Sequence, residues 1–349
     1  VPALIAAGVT DFRAYLPIPA HVDEATTFVD LPQPSIGPDD LLIQVKASGI
    51  CGTDIHILKG EYELAVFPMV PGHEFSGDVV AVGENVTRFN IGDRVTADPN
   101  IPCNRCEACQ RNEPNQCENL AAVGVTRDGA FAEYVSVPES VTFPIGDLSY
   151  SDAALIEPLA CVAWGLQRVQ IQAGNRVLLF GAGPMGCLLA QAMSAAGASQ
   201  VDVTDVNPAR LAVMEELGVT HTMLADELPK KAKAFAPKGY DVVVDATGVP
   251  AVIEQTMRYV RSRGKIWLFG VAPDNAMASF NPYEIFRRDL SLIGSFAVSR
   301  TFHEAIMMIN SGKINLAPLV SHTLPLDEFE EGLRLAQEDP KRMKIQFEM

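Results

Sequence analysis

From Arg176 onward the sequence keeps a rhythm that few folds accept. Apolar, β-branched runs (RVLLFG, QVDVTD, HTMLA, YDVVVDATG, KIWLFG, LSLIGSF) alternate with amphipathic runs (PMGCLLAQAMSAAG, PARLAVMEELG, ELPKKAKAFA, AVIEQTMRYVRSRG). Strands that are apolar almost throughout need cover on both faces, and the intervening helices supply it. The segment is therefore expected to form an α/β, doubly wound parallel sheet of six strands. Local chemistry agrees: Asn207 can cap a helix that begins at Pro208, and Gly218 and Gly264 follow expected helix ends.

The first turn of this series is Gly181-Ala182-Gly183-Pro184-Met185-Gly186, placed after a strand and opening a helix. Glycines there permit a tight turn and let the backbone approach a pyrophosphate, which the positive end of the helix stabilises. Pro184 costs little in a first turn, where its missing N–H has no helical partner. Asp205 ends the next strand, 22 residues after Gly183, where a carboxylate can accept bonds from ribose hydroxyls. The same charge repels a 2′-phosphate, so NAD is expected over NADP, and Arg210, about a turn further on, weakens that preference only slightly. A glycine turn that merely packs a helix on a strand is the plainer reading; the full strand–helix series and Asp205 outweigh it.

The residues before this series read differently. LLIQVKA, the two runs in VPGHEFSGDVVAVGENVTRFNIGDRVTA, and AFAEYVSVP are short strands parted by Gly and Pro, which suggests a barrel-like domain. SDAALIEPLACVAWGLQRV reads as two helical stretches separated at Glu157–Pro158. Beyond residue 297 one helix is expected from Thr301, with Thr301 and Glu304 spaced as a capping box, and another near Asp327. This tail is expected to pack back on the first domain.

A length of 349 residues suits two domains, and 48% hydrophobic with 20% charged residues is the composition of a soluble globular chain. The net charge of −16 repels nucleic acid and anionic membranes. The uncharged run Val177 to Val201 is long enough to cross a bilayer but is broken by Gly181, Gly183, Pro184, Gly186 and Gly197. VPALIAAGVT carries no Lys or Arg and no recognisable cleavage site, so it is not read as a signal peptide, and a cytoplasmic protein is expected.

Seven cysteines, four of them within fifteen residues, argue for metal binding in a reducing compartment. Cys103, Cys106, Cys109 and Cys117 sit in a polar loop and can close a tetrahedral structural zinc site; a redox pair or free thiols are the alternatives. A second set begins at CGTDIH, with Cys51, Thr53, Asp54 and His56, and continues at GHE with His73 and Glu74. Any one of Cys51, His73 or Glu74 could be structural. Together they can hold zinc, with Asp54 orienting an imidazole, Thr53 near an open position and His56 as an outlet for a proton.

CGTDIH, PGHE, the CxxCxxC…C loop, EPLA and GAGPMG, in this order, resemble the zinc-dependent medium-chain dehydrogenase/reductase family over essentially the whole chain. The resemblance implies a GroES-like, β-rich catalytic domain (1–160 and 297–349) interrupted by a Rossmann NAD-binding domain (161–296), with Cys51 and His73 as ligands of a catalytic zinc. In the polyol, sorbitol dehydrogenase-like branch Glu74 completes the set with Glu157 close by; in alcohol dehydrogenases a cysteine serves, where Cys161 stands here. The intact EPL motif favours the polyol branch, with Cys161 as the alternative ligand. The cofactor-binding set that goes with it extends to Thr247, Gly270, Val271 and Ser295.

One departure bears on substrate. Sorbitol dehydrogenases carry an Arg-Tyr pair after the last Rossmann strand, where this chain has Ala297 and Val298, and whether Arg300 compensates is open at this point. The activity implied is oxidation of a secondary hydroxyl of a polyol to a ketose, using NAD and two zinc ions per subunit, one catalytic and one structural. Thr53 takes the hydroxyl proton and His56 releases it. The runner-up is an L-threonine 3-dehydrogenase-like or simple alcohol dehydrogenase, and a non-catalytic dinucleotide-binding protein is the alternative from another class. The expected partners are a small polyol and further copies of the chain, as a dimer or tetramer joined at sheet edges.

Overall fold

A computed structural model of the chain describes residues 11–17, 26–62 and 64–349; the apolar run at 1–10 lies outside them. The chain divides into two compact units. One comprises the chain up to Ala160 with Val298–Ile306 and Val320–Met349; the other comprises Cys161–Ala297 with Met307–Leu319. The stretch Met307–Leu319 thus groups with the second unit, where the sequence reading put the whole tail with the first. Gln191 draws it there: its side-chain amide donates to Asn315 O at 3.1 Å and its Oε1 accepts from Asn315 N at 2.6 Å.

The first unit is built on a seven-stranded sheet. Its strands run in the order 320–325, 344–348, 40–49, 74–82, 94–97 and 142–144, with Tyr134–Pro138 also paired to the long strand Asp40–Gly49. That strand alternates and is apolar enough to be covered on both faces: Leu41, Leu42, Ile43 and Val45 are all fully buried. Its end matters most for function. Gly49 pairs with Glu74 on one side and with Gln346 on the other, so the residues just beyond Gly49 meet the starts of two distant strands.

The second unit is a six-stranded sheet in the order 221–224, 200–205, 176–180, 240–245, 260–268 and 291–294, every neighbouring pair parallel. In sequence order this is 3-2-1-4-5-6, the doubly wound dinucleotide arrangement. The run Val177–Val201 resolves into the strand Arg176–Phe180, the helix Pro184–Ala195 and the start of the strand Gln200–Asp205. Among the described residues no helix is long and apolar enough to cross a membrane.

Three local expectations are corrected. The helix from Pro250 ends at Tyr259, and VRSRG opens the strand Val260–Leu268, so Gly264 lies inside a strand instead of after a helix. The cause is Arg288, whose guanidinium takes the carbonyls of Met257 and Val260 and so ends the helix early. The break near the EPL motif falls at Leu155, between the helices Tyr150–Ala154 and Ile156–Val169. Pro158 therefore occupies a first turn, where proline is tolerated. At the start of the helix Phe302–Asn310, Thr301 forms no capping box with Glu304; its buried hydroxyl donates to Ala160 O at 2.7 Å.

Asp98, just past the strand Arg94–Ala97, is buried with no cation acting on its charge among the described residues. Burial pushes its carboxyl up to about 7, against the opposing hydrogen bond from Asn100 N. A carboxyl raised on folding adds stability below its unfolded pKa, and that contribution is lost as pH rises through the folded value. Asp98→Asn keeps the acceptor for Asn100 without the charge. We expect its thermal midpoint to exceed that of the wild type at pH 8 and to converge with it at pH 4.

Candidate metal centres and dinucleotide turn

The register at Gly49 collects one group of side chains. Cys51 lies two residues past Gly49 and caps the helix Gly52–Leu58; His73 and Glu74 stand at the start of the strand Glu74–Val82. The turn delivering His73 requires Gly72, whose φ is +98° and whose missing Cβ would lie 2.7 Å from Phe131 N. The ligand atoms of Cys51, His73 and Glu74 lie within 4.8 Å of one another, and His73 and Glu74 are buried.

Asp54 holds this group from behind. Fully buried, it accepts from Cys51 N through Oδ2 at 2.8 Å, and its Oδ1 lies 3.4 Å from His73 Nδ1. It thus fixes both the turn bearing the thiol and the ring, leaving Nε2 as the nitrogen free to act as ligand. Burial alone would depress the His73 pKa, but the charges of Asp54 and Cys51 outweigh it and hold His73 well above the ordinary histidine value. Asp54 Oδ1, His73 Nδ1 and Glu74 Oε2 all lack an aligned hydrogen bond. Buried, anion-rich and under-bonded, with one soft sulfur, one imidazole and one carboxylate, the cluster fits a zinc ion.

The sequence reading missed one member of this site. Lys344, at the start of the strand Lys344–Glu348, is buried and donates to Glu74 Oε1 at 2.7 Å and to Ile50 O at 3.1 Å. Glu74 Oε2 is equally close, at 2.7 Å, without hydrogen-bond alignment. Burial works against the ammonium, yet Glu74, Cys51 and Glu157 more than offset it and raise its pKa. Gly49 leaves the room for this pair, since a Cβ there would sit 2.7 Å from Glu74 Oε2. The only sequence signal was a lysine inside an otherwise pairing-competent terminal strand, with nothing to name its partner 270 residues away.

Glu157 is buried in the first turn of the helix Ile156–Val169, close enough to Lys344 to act on its charge, but stands outside the three-residue cluster. Cys161 follows one turn later on the same helix. Thr53 Oγ1 lies 3.7 Å from Cys51 Sγ. His56, in the last turn of the helix Gly52–Leu58 and half-buried, has its Nδ1 2.8 Å from Glu61 Oε2, a second partner not anticipated from sequence. Close by, Tyr62 packs on Ile57, Met69 and Val125. Burial raises its phenol pKa, with the charge of His73 opposing and that of Cys51 adding.

The four sulfurs of Cys103, Cys106, Cys109 and Cys117 also lie within 4.8 Å of one another. Backbone amides point at them: Cys103 N and Asn119 N donate to Cys117 Sγ at 3.2 and 3.4 Å. The amides of Arg105 and Cys106 draw the Cys103 thiol down to about 6, whereas burial and the neighbouring sulfurs push Cys109 up to about 12. A cation would let all four be thiolates, and the set fits a closed structural zinc. Arg300 belongs here: its guanidinium donates to Asn112 Oδ1 at 3.0 Å and Asn104 Oδ1 at 3.5 Å, two residues held at φ +60° and +56°. It braces the cysteine loop and so does not replace the missing Arg-Tyr pair.

In the second unit, each expected cofactor residue stands at or just past the carboxyl end of a parallel strand, or at the start of the following helix. Gly181 has φ +105°, and a Cβ on Gly186 would lie 2.1 Å from Gly181 O, so the helix start can close on the turn only with glycine. A Cβ on Gly183 would meet nothing nearer than Arg210 Nη1 at 4.0 Å, which leaves an open cradle beside the helix N-terminus. Pro184 and Met185 form the first turn. Asp205 braces the turn, accepting from Ala182 N at 2.7 Å and Asn207 N at 2.8 Å. Buried Arg210 Nε has no hydrogen-bond partner among the described residues. Thr247 and Val271 are exposed, Gly270 closes on Gly248 N, and Ser295 accepts from Trp267 Nε1 at 3.0 Å.

Breaking the buried pair is expected to be costly. Lys344→Met strands the Glu74 charge and should destabilise the metal-free protein by about 3–5 kcal/mol, with part regained in the Glu74→Gln/Lys344→Met double variant. Urea unfolding of the three proteins measures both effects.

Comparison with known proteins agrees with this geometry. Residues 37–147 match the alcohol dehydrogenase GroES-like domain and residues 184–311 match the zinc-binding dehydrogenase domain. D-altritol 5-dehydrogenase of Agrobacterium fabrum is 40% identical, the match covering 91% of this chain and 95% of that protein. D-arabinitol dehydrogenase 1 of Uromyces fabae is 36% identical over 86% and 87%, and L-threonine 3-dehydrogenase of Rhizobium etli 34% over 87% and 89%. A zinc-binding dehydrogenase of Sinorhizobium meliloti 1021, solved with bound NADP, superposes with a TM-score of 0.90 at 32% identity, covering 98% of this chain and 100% of that one. With two metal clusters, a dinucleotide turn and relatives along nearly its full length, the chain belongs to the zinc-dependent medium-chain dehydrogenase/reductase family, in its polyol dehydrogenase branch, and is an oxidoreductase that uses zinc and a nicotinamide dinucleotide.

Proposed function

We propose that the protein oxidises a secondary hydroxyl of a sugar alcohol to a ketone, giving a ketose, with NAD as the oxidant. The observation that carries this reading is the buried Cys51–His73–Glu74 cluster with Thr53 and His56 on the helix that Cys51 caps. The similarity to D-altritol and D-arabinitol dehydrogenases supports the substrate class. Cys51, His73 and Glu74 would hold a zinc, whose Lewis acidity would lower the pKa of a hydroxyl toward neutrality, as that of metal-bound water falls to about 7. NAD supplies the acceptor for the hydride.

The remaining work falls to the chain. Asp54 keeps the His73 ring and the Cys51 turn fixed, so that the ligand set is preorganised. Thr53 Oγ1 accepts the hydroxyl proton. His56, three residues on and therefore on the same helical side, releases it to solvent while Glu61 holds the ring through Nδ1. Asp205, at the end of its strand, disfavours a 2′-phosphate and selects NAD. The alcohol loses one hydride and one proton, and no other co-reactant is needed.

The strand Ser291–Gly294 forms an edge of the six-stranded sheet, with Leu292, Phe296 and Phe286 exposed around it. Such an edge pairs readily, which supports a homodimer or homotetramer. A monomer in sedimentation velocity would remove that part of the reading.

The substrate class is tested by NADH formation across sugar alcohols, L-threonine and ethanol with zinc present, repeated with NADP. Sugar alcohols should lead and NAD should be preferred; faster turnover of threonine would overturn the assignment. His73→Ala should abolish turnover while NAD binding, followed by fluorescence quenching, stays near the wild-type value. His56→Ala should lower the rate chiefly below neutral pH, and an unchanged profile there would take His56 out of the proton path.

A further inference from the structure

A sugar alcohol presents several hydroxyls, and the metal can take only one. The structure offers a second reader beside the metal cluster. Tyr62 is held by the loop that closes the helix Gly52–Leu58: Gly60 N donates to Ile57 O at 2.9 Å, Glu61 N to His56 O at 2.8 Å, and Ala65 N to Tyr62 O at 3.1 Å. Its ring rests on Ile57, Met69 and Val125, so the chain on both sides of the metal ligands fixes it: Ile57 on the Cys51 helix, Met69 four residues before His73. It stays half-buried, not sealed in the core.

Its hydroxyl differs from those of two other packed tyrosines. Tyr150 donates to Asp78 at 2.6 Å and Tyr240 to Asp202 at 2.6 Å. The Tyr62 hydroxyl has no hydrogen-bond partner among the described residues, although the charges of His73 and Cys51 both reach it. A partly buried phenol, fixed by packing and left to bond a ligand, can donate one hydrogen bond and accept another. A neighbouring hydroxyl on the substrate carbon chain asks for that pair of roles.

We propose that Tyr62 is a specificity-determining residue that hydrogen-bonds a second hydroxyl of the substrate, favouring vicinal polyols over alcohols with a single hydroxyl. This rests on the polyol reading given above. Rigid packing on Ile57, Met69 and Val125 means that the phenol selects without paying for its own ordering, and a substrate lacking the second hydroxyl leaves it without that bond.

The test compares the zinc-loaded wild type with Tyr62→Phe, which keeps the ring and its packing. kcat/KM is measured for the best sugar alcohol and for 2-butanol, and sugar-alcohol binding to the enzyme–NADH complex is followed by NADH fluorescence. The variant should lose about tenfold in kcat/KM and in affinity for the sugar alcohol, the scale of one hydrogen bond, and be unchanged with 2-butanol. Equal losses on both alcohols, or no change in the sugar-alcohol constants, would overturn the role of Tyr62 alone. A wild type that turns over 2-butanol but no sugar alcohol would overturn the polyol reading and this inference together.

Discussion

The pairing of Gly49 with both Glu74 and Gln346 is the constraint on which the chemistry of this chain depends. One strand end meets two others, and Cys51, His73, Glu74 and Lys344 converge as a result. Three acidic groups, Asp54, Glu74 and Glu157, are buried there. Such a concentration of negative charge in a low-dielectric interior is unstable without cations. Lys344 is one cation, fixed by the fold; a divalent metal at the cluster would be the other. The fold provides Glu74 with a counter-charge 2.7 Å from both carboxylate oxygens, and Oε2, which lacks an aligned hydrogen bond, keeps lone-pair capacity for a metal.

The two metal clusters illustrate how surroundings separate structure from chemistry. Around Cys103, Cys106, Cys109 and Cys117 the loop turns its own amides on the sulfurs, and left-handed Asn104 and Asn112, bridged by Arg300, shape the loop. A tetrahedral zinc held by the four sulfurs would have no position left for a further ligand. Around Cys51, by contrast, the described cluster offers three ligands, and the nearby polar side chains, Thr53, His56 and Tyr62, are ones that can exchange protons or hydrogen bonds with a ligand.

How much of this was legible from sequence depends on how far apart the cooperating residues are. The glycine turn was readable because its requirements are local: Gly181 must take a positive φ, Gly186 must let the helix close on it, and both lie within one hexapeptide. The parallel sheet was readable because each strand is apolar by itself. The end of the helix at Tyr259 was not, because the group that stops it, Arg288, is 31 and 28 residues from the carbonyls it takes and acts through its side chain. Whether Arg300 stands in for the Arg-Tyr pair was open from its place after the last strand of the sheet, because its partners come from a loop nearly 190 residues earlier. Lys344 was invisible for the same reason. Composition and periodicity report burial; they do not report which buried charge answers which.

The Glu74–Lys344 pair also bears on how a carboxylate could serve at a site proposed to acidify an alcohol. Each anionic ligand lowers the effective charge on a metal, and with it the metal's ability to draw electron density from a hydroxyl oxygen. Cys51 already contributes one negative charge when ligating. A free carboxylate at Glu74 would contribute a second in full. Shared with an ammonium 2.7 Å away, it would donate less, and a metal held there would keep more of its Lewis acidity. Lys344 lies outside the three-residue cluster, yet it shares the charge of Glu74, so a substitution there would be felt by a metal bound at the cluster as well as in the stability of the fold.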